Sequence, residues 1–178
     1  MKKKVGQVNI TSNYVFVCDP AFINWAPVVQ LSSSGIYNCY ICKHDTDKTI
    51  RSISIIRSDY ICRKREYTNS LTPIKCFNVE SGISGIFNSN ISSEYSISKS
   101  EFNRLRKSSF KYKELKRKYT PTNNFYNSCC NCALNNKGYN IIKNIGFVSS
   151  GNSDGLYKVY PIITIKDNEV IGIKIKPC

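Results

Sequence analysis

Apolar and polar side chains alternate along several short segments of the chain, and this pattern predicts β-strands joined by polar turns. Residues 149–178 predict a glycine-containing turn followed by two strands that are joined at Asp167-Asn168. Residues 35–56 show the same pattern as residues 155–176, and no gap is needed to align them. The matching pairs are Gly35 and Gly155, Ile36 and Leu156, Tyr37 and Tyr157, Tyr40 and Tyr160, Asp47 and Asp167, Ile50 and Val170, Ile53 and Ile173, and Ile55 and Ile175. We interpret this agreement as a repeated hairpin, with chance similarity between two Ile- and Tyr-rich hairpins as the alternative.

Further strands are predicted over residues 5–10, 14–18, 74–79 and 140–148. In the first hairpin, Ile50, Ile53 and Ile55 depart from strict alternation, which indicates a β-bulge near Arg51-Ser52. Residues 21–34 show no periodicity and are expected to cross an edge of the sheet. They contain Trp25, which we expect to be a buried anchor beneath this loop; a surface that stacks on a ligand is the alternative.

One segment, residues 98–119, predicts a long helix. Ser98 and Glu101 form a capping box at its start, and Thr120-Pro121 ends it. An apolar stripe is formed by Phe102, Leu105, Tyr112, Leu115 and Tyr119. The other face is basic, and its proposed nucleic-acid-binding residues are Arg104, Arg106, Lys107, Lys111, Lys113, Lys116, Arg117 and Lys118.

These elements predict one domain over residues 1–178, of the α+β class and rich in β-structure. We expect a mostly antiparallel sheet or sandwich built from hairpins, with the hairpin at 35–56 repeated at 155–176. The long basic amphipathic helix at 98–119 is expected to pack on this sheet.

Charge adds a candidate partner to this picture. The chain has 26 Lys and Arg residues against 12 Asp and Glu residues, so its formal net charge is +14. Such a charge attracts polyanions, whether nucleic acid or an anionic membrane surface. The alternative is a compositional bias, because Ile, Asn, Lys and Tyr are all abundant in this chain.

The cysteines and the N-terminal residues indicate in which cellular compartment the protein is located. The chain has nine cysteines, and its basic start is not followed by the apolar run of a secretory signal. No segment approaches the roughly 18 apolar residues that a membrane span needs. We therefore expect reduced thiols and an intracellular location, in the cytoplasm or, for a viral protein, in the host cytoplasm or virion.

An ordered set of motifs resembles the bacterial and viral family catalogued as domain of unknown function 4241. The motifs are NYVFVCDP, SSSGIYNCYIC, CFNVESGISGIFN and GFVSSGNSDGLYKVY. The resemblance covers most of the chain and implies the fold and the motif positions, but no activity. Two departures are Glu80, where the family usually has Asp, and Asn152-Ser153, which replace a glycine-containing step. The segment of the basic helix varies within the family.

Three acidic residues, Asp19, Glu80 and Asp154, stand at predicted strand ends beside proline or glycine. If they converge, they are weak catalytic candidates that could bind a cation or perform general acid–base chemistry. The alternative, which we favour, is that each residue caps its own turn.

The cysteine spacing offers candidate ligands for a metal ion. Cys39 and Cys42 have a C-x-x-C spacing near His44, and the more distant candidates are Cys129, Cys130 and Cys132. Positions 39 and 42 face opposite sides of a strand, whereas a zinc site needs converging thiolates. We therefore expect no metal and no other cofactor.

The sequence favours a non-enzymatic intracellular binding protein, such as an accessory protein of a large DNA virus or a mobile element. Its basic helix is expected to contact nucleic acid or another polyanion by neutralising phosphates, without reading base sequence. One alternative is a structural or inhibitory protein–protein interaction protein, such as a virion component or an immunity-type factor. Another is a cation-dependent hydrolase that uses the three carboxylates. The oligomeric state is open.

Overall fold

The computed structural model describes residues 2–46, 49–60, 66–91, 129–130, 138–142, 145–150 and 154–178. Strands make up 62% of this part of the chain, and the strands form two mostly antiparallel sheets. In chain order the strands are β1 Lys2–Ile10, β2 Tyr14–Cys18, β3 Val28–Gln30, β4 Gly35–Lys43, β5 Ile50–Arg57, β6 Tyr67–Asn69, β7 Lys75–Val79, β8 Ile83–Asn88, β9 Tyr139–Ile142, β10 Gly146–Ser150, β11 Gly155–Thr164 and β12 Val170–Pro177. Short 3₁₀ helices span Pro20–Trp25 and Ser58–Tyr60.

The larger sheet has seven strands in the order β1-β4-β5-β12-β11-β6, and β7 also pairs with β11. The smaller sheet has five strands in the order β3-β2-β8-β10-β9. The two sheets pack face to face and enclose the main hydrophobic core. Buried side chains of the seven-stranded sheet, such as Tyr37, Ile55 and Ile173, meet Val17 and Phe147 of the five-stranded sheet in this core. The face of the seven-stranded sheet that points away from this core is called the outer face below.

Both hairpins of the predicted repeat are present and lie side by side. β4 pairs with β5 and β11 pairs with β12, all antiparallel, and β5 then pairs with β12. The opening glycines have similar positive φ angles, 134° at Gly35 and 140° at Gly155. Tyr37 and Tyr157, which follow them, are both buried. These glycines and tyrosines therefore have the same structural roles in the two hairpins, whereas Asp47, the counterpart of Asp167, lies outside the described residues.

The predicted bulge is also present. Cys42 pairs with Ser52 whereas Lys43 pairs with Ile50, so Arg51 is the extra residue of β5. This extra residue lets both Ile50 and Ile53 face the core, although strict alternation would place them on opposite faces.

The predicted α+β class is wrong, because no helix of seven or more residues occurs in the part of the chain that the structure describes. The helix predicted over 98–119 lies outside the described residues, together with its eight proposed nucleic-acid contacts: Arg104, Arg106, Lys107, Lys111, Lys113, Lys116, Arg117 and Lys118. The β-rich, antiparallel part of the prediction is confirmed.

Two further segments differ from the prediction. The aperiodic segment 21–34 contains most of a 3₁₀ helix and the short strand β3. The segment 140–148, predicted as one strand, contains parts of two paired strands, β9 and β10. Such short elements carry too few residues to show a period of their own.

We expect Gly172→Ala to destabilise the fold. A β-carbon at position 172 would overlap with the carbonyl oxygen of Ile55 and the Cα of Ile56, so β12 could not keep its present distance from β5. Overpacking of this kind costs about 1–3 kcal/mol. Chemical denaturation measures the loss, and Lys166→Ala in the exposed β11–β12 turn is the control. An unchanged unfolding midpoint for Gly172→Ala would contradict the tight β5–β12 pairing.

Candidate functional site

Asp19 is a buried carboxylate at the end of β2, and its side chain is 1% exposed. Its Oδ1 accepts hydrogen bonds from the N–H of Ala21 at 2.9 Å and from the hydroxyl of Ser81 at 2.7 Å. Its Oδ2 accepts from the N–H of Glu80 at 2.9 Å and from the N–H of Ser81 at 2.8 Å. One side chain therefore caps the 3₁₀ helix Pro20–Trp25 and also holds the β7–β8 turn.

Burial raises the pKa of the Asp19 carboxyl, and the hydrogen bonds from Glu80, Ser81 and Ala21 oppose this rise only in part. The folded-state pKa thus lies above the unfolded value. The contribution of the Asp19 carboxyl to the free energy of unfolding is therefore fully present at pH values below its unfolded-state pKa. This contribution is lost as the pH rises through its folded-state pKa.

The structure brings the three acidic candidates to one end of the strands. Glu80 directly follows β7, and Asp154 directly precedes β11; the adjoining residues Val79 and Gly155 are paired in the sheet. Glu80 also donates its backbone N–H to Asp19. The roles of the side chains differ, however, because Asp19 is buried and hydrogen-bonded to two turns whereas Asp154 is exposed.

In the part of the chain that the structure describes, the three carboxylates do not belong to a cluster that could hold a cation. Within the described residues, no three or more His, Cys, Asp and Glu side chains come together in a way that could hold a metal ion. A carboxylate that already accepts four hydrogen bonds has little capacity left for a ligand. Asp19 therefore acts as a structural tie between turns.

The cysteine candidates are also separated. Cys39 is buried in the main core, and burial raises the pKa of its thiol to about 12. Cys42 is half-buried on the outer face of the same strand. Cys129 and Cys130 pack in a second cluster beside the five-stranded sheet. Cys132 lies outside the described residues.

A cavity of about 330 Å³ opens beside Asp19 and β7. Its lining residues are Cys18, Asp19, Phe22, Trp25, Pro27, Cys76, Phe77, Asn78 and Glu80. We call this space the Trp25 cavity. The expectation that Trp25 is a buried anchor is wrong, since its side chain is 63% exposed. The short 3₁₀ helix, tied at its start by Asp19, carries Trp25 to the surface.

A second candidate surface lies on the outer face. Cross-strand register places Lys4 beside Tyr40, Tyr40 beside Ser54, Ser54 beside Lys174, and Lys174 beside Tyr160. This row runs across five adjacent strands, or roughly 19 Å at the usual strand spacing. Lys2, Lys158 and Lys176 flank the row on the same face. The seven residues Lys2, Lys4, Tyr40, Lys158, Tyr160, Lys174 and Lys176 are called the lysine–tyrosine face.

Lysines lie directly over both tyrosines of this face. The Nζ of Lys2 is 4.3 Å from the ring centroid of Tyr40, and the Nζ of Lys176 is 4.7 Å from that of Tyr160. Both are cation–π contacts. Tyr40 also packs at the edge of a small apolar cluster that contains Ile56 and Ile162, which fixes the ring on the sheet.

No strand of the seven-stranded sheet contains an acidic residue. The basic residues of these strands are Lys2, Lys3, Lys4, Lys43, Arg51, Arg57, Lys75, Lys158, Lys174 and Lys176. Sequence reasoning missed this surface because its lysines come from β1, β11 and β12. The available signal was the period-two spacing of Lys174 and Lys176 within an acid-free strand.

We expect Asp19→Asn to destabilise the protein by about 1–3 kcal/mol. The amide nitrogen would replace one acceptor oxygen and leave at least one buried N–H donor without a partner. Chemical denaturation measures this effect at neutral pH. Asp154→Asn makes the same chemical change at an exposed position and should alter stability by less than about 0.5 kcal/mol. Equal effects of the two variants would refute the structural role of Asp19.

Among the described residues, none forms a helix that is both long enough and apolar enough to cross a membrane. Comparisons of the chain with family models, with curated proteins and with solved structures found no match. The resemblance to the family of domain of unknown function 4241 therefore stays a prediction.

Proposed function

We propose that the protein binds a polyanion, specifically single-stranded nucleic acid, through the lysine–tyrosine face. The observation that carries this proposal is the row of Lys4, Tyr40, Ser54, Lys174 and Tyr160 across five strands. The row combines positive charge with aromatic rings on one face of the sheet, and Ser54 at its centre is buried. This surface replaces the helix at 98–119 as the proposed contact.

Electrostatics supports a ligand with repeated negative charges. Lys2 and Lys4 are exposed, and Lys158, Lys174 and Lys176 are half-buried on a sheet whose strands carry no carboxylate. Cations held near one another repel, and phosphate groups relieve this repulsion while they release their own counterions. Phosphate contacts of this kind bind nucleic acid without reading its sequence.

The two tyrosines favour a single strand over a duplex. Tyr40 and Tyr160 are half-buried on a sheet face, where a ring can stack on a base only if that base is unpaired. Burial raises the pKa of Tyr40, so its phenol stays neutral and adds no negative charge to the surface. Lys2 and Lys176 lie over these rings, so a stacking base would displace their flexible side chains and leave both charges beside it.

The proposal also covers where the protein acts in the cell and what it does there. Cys18, Cys39, Cys42, Cys76 and Cys178 are free thiols, in keeping with a reducing intracellular compartment. We place the protein there as a non-enzymatic accessory factor that covers single-stranded nucleic acid, for example one encoded by a large DNA virus or a mobile element.

Removing one lysine from the face should lower the salt dependence of binding. For Lys174→Ala we expect weaker binding to a labelled oligonucleotide strand and a log–log salt slope smaller by about 1, measured between about 50 and 200 mM salt. Lys166→Ala removes the same charge from the exposed β11–β12 turn and should leave the slope unchanged. The proposal fails if the parent protein does not bind at low salt, or if both variants behave alike.

Removing a tyrosine ring should weaken binding to single strands more than binding to a duplex. We expect Tyr160→Leu to weaken single-strand binding by about 5- to 150-fold, which corresponds to about 1–3 kcal/mol for one lost stacking contact. Binding to a duplex of equal length should change little.

The matched control for this loss is Tyr14→Leu, which removes an exposed ring from β2 of the other sheet. Thermal unfolding verifies that both variants remain folded. Equal losses for duplex and single strand would show that the ring does not stack on bases, and would remove the preference for single strands.

A further inference from the structure

We infer that Ser52 and Ser54 of β5, together with Lys174 and Lys176 of β12, bind a phosphate group of the nucleic-acid backbone. This inference rests on the proposed binding of single-stranded nucleic acid and assigns the place on the lysine–tyrosine face where the strand puts a phosphate. The four residues are called the phosphate seat. Its two serine hydroxyls are donors that a merely basic surface does not provide.

Strand register brings the four residues of the phosphate seat together. Ser54 lies beside Lys174 in the β5–β12 pair and beside Tyr40 of β4 on its other side. Ser52 precedes Ser54 by two residues and therefore shares the outer face. Lys176 follows Lys174 by two residues and shares this face as well. Because β5 and β12 are antiparallel, Ser52 and Lys176 lie on the same side of the Ser54–Lys174 pair.

Both serine side chains are buried, and both hydroxyls lack an acceptor. Ser52 is 7% and Ser54 6% exposed, and neither side chain makes a hydrogen bond to any of the described residues. Serine is shorter than the neighbouring Tyr40 and Lys174, so the Ser54 hydroxyl lies at the bottom of a depression. In a central strand, an apolar β-branched side chain would be the more stable choice at such a position. The unpaired hydroxyls therefore point to a ligand that supplies the acceptor.

A phosphodiester group matches these donors. A serine hydroxyl donates one hydrogen bond, and a lysine ammonium group has three N–H donors. Neighbouring side chains of paired strands have β-carbons about 4.5–5.5 Å apart, so one phosphate can contact a hydroxyl and an ammonium group at once. Hydrogen bonds to a charged acceptor are roughly twice as strong as those between neutral groups. The serines therefore add affinity that does not depend on the release of counterions.

Ser54→Thr and Ser54→Val are the matched variants that test the phosphate seat. Their side chains have nearly the same shape and both favour strands, so the variants differ essentially in the hydroxyl. We expect Ser54→Val to bind a labelled oligonucleotide strand about tenfold more weakly than Ser54→Thr. The log–log salt slope should be the same for both, because no charge is lost. Ser34→Ala, which removes an exposed hydroxyl between β3 and β4, should bind like the parent protein.

Thermal unfolding without nucleic acid distinguishes a ligand contact from a structural role of the same hydroxyl. Ser54→Val should unfold at the same temperature as Ser54→Thr or at a higher one, because valine leaves no unpaired hydroxyl in the sheet. A lower unfolding temperature for Ser54→Val would show that the hydroxyl at position 54 stabilises the fold itself, and would overturn the inference.

The binding results separate this inference from the proposal on which it rests. Equal affinities of Ser54→Thr and Ser54→Val would overturn the phosphate seat, and a smaller salt slope for Lys174→Ala would still support the polyanion proposal. Weaker binding by Ser54→Val with an altered salt slope would show displaced lysines instead of a lost hydroxyl contact, and would also overturn the seat. Absence of binding by the parent protein at low salt would overturn both.

Discussion

The pairing of β5 with β12 is the contact on which the other features depend. It joins two hairpins, 35–56 and 155–176, into one continuous sheet. On the inner face it brings Ile53 and Ile55 beside Ile175 and Ile173, at the centre of the main core. On the outer face the same register sets Ser54 beside Lys174 and so completes the row from β1 to β11. A one-residue slip would move every one of these side chains to the wrong face.

Local patterns in the sequence were sufficient to predict the hairpins and the bulge at Arg51, because residues close in sequence determine them. The pairing of strands that lie far apart in the sequence could not be predicted in this way. Which strand pairs with β5, and which strands form the second sheet, depends on contacts between residues far apart in the chain, for which local alternation carries no information. The α+β class was wrong because it gave the segment 98–119 a defining role, whereas the described part of the chain is organised entirely by sheet pairing.

For the candidate sites too, local roles were predictable from the sequence, whereas long-range arrangements were not. Asp19 was recognised as either a turn cap or a site carboxylate, and the structure makes it a cap that serves two turns at once. Trp25 was expected to be buried because tryptophan usually is, but the 3₁₀ helix that Asp19 caps carries it outward. Each lysine of the lysine–tyrosine face resembles an ordinary solvated charge in the sequence, and only the strand register brings these lysines together.

The repeat also gives the outer face a local symmetry. In the β5–β12 pair, Ile53 meets Ile175 and Ile55 meets Ile173, and exchanging the two hairpins reproduces the same pairs. Tyr40 and Tyr160 exchange in the same way, on either side of Ser54 and Lys174. The lysines do not follow this symmetry, because Lys158, Lys174 and Lys176 correspond to Asn38, Ser54 and Ile56 in the first hairpin. The repeat therefore duplicates the rings but not the charges, and the two ends of the row are chemically different.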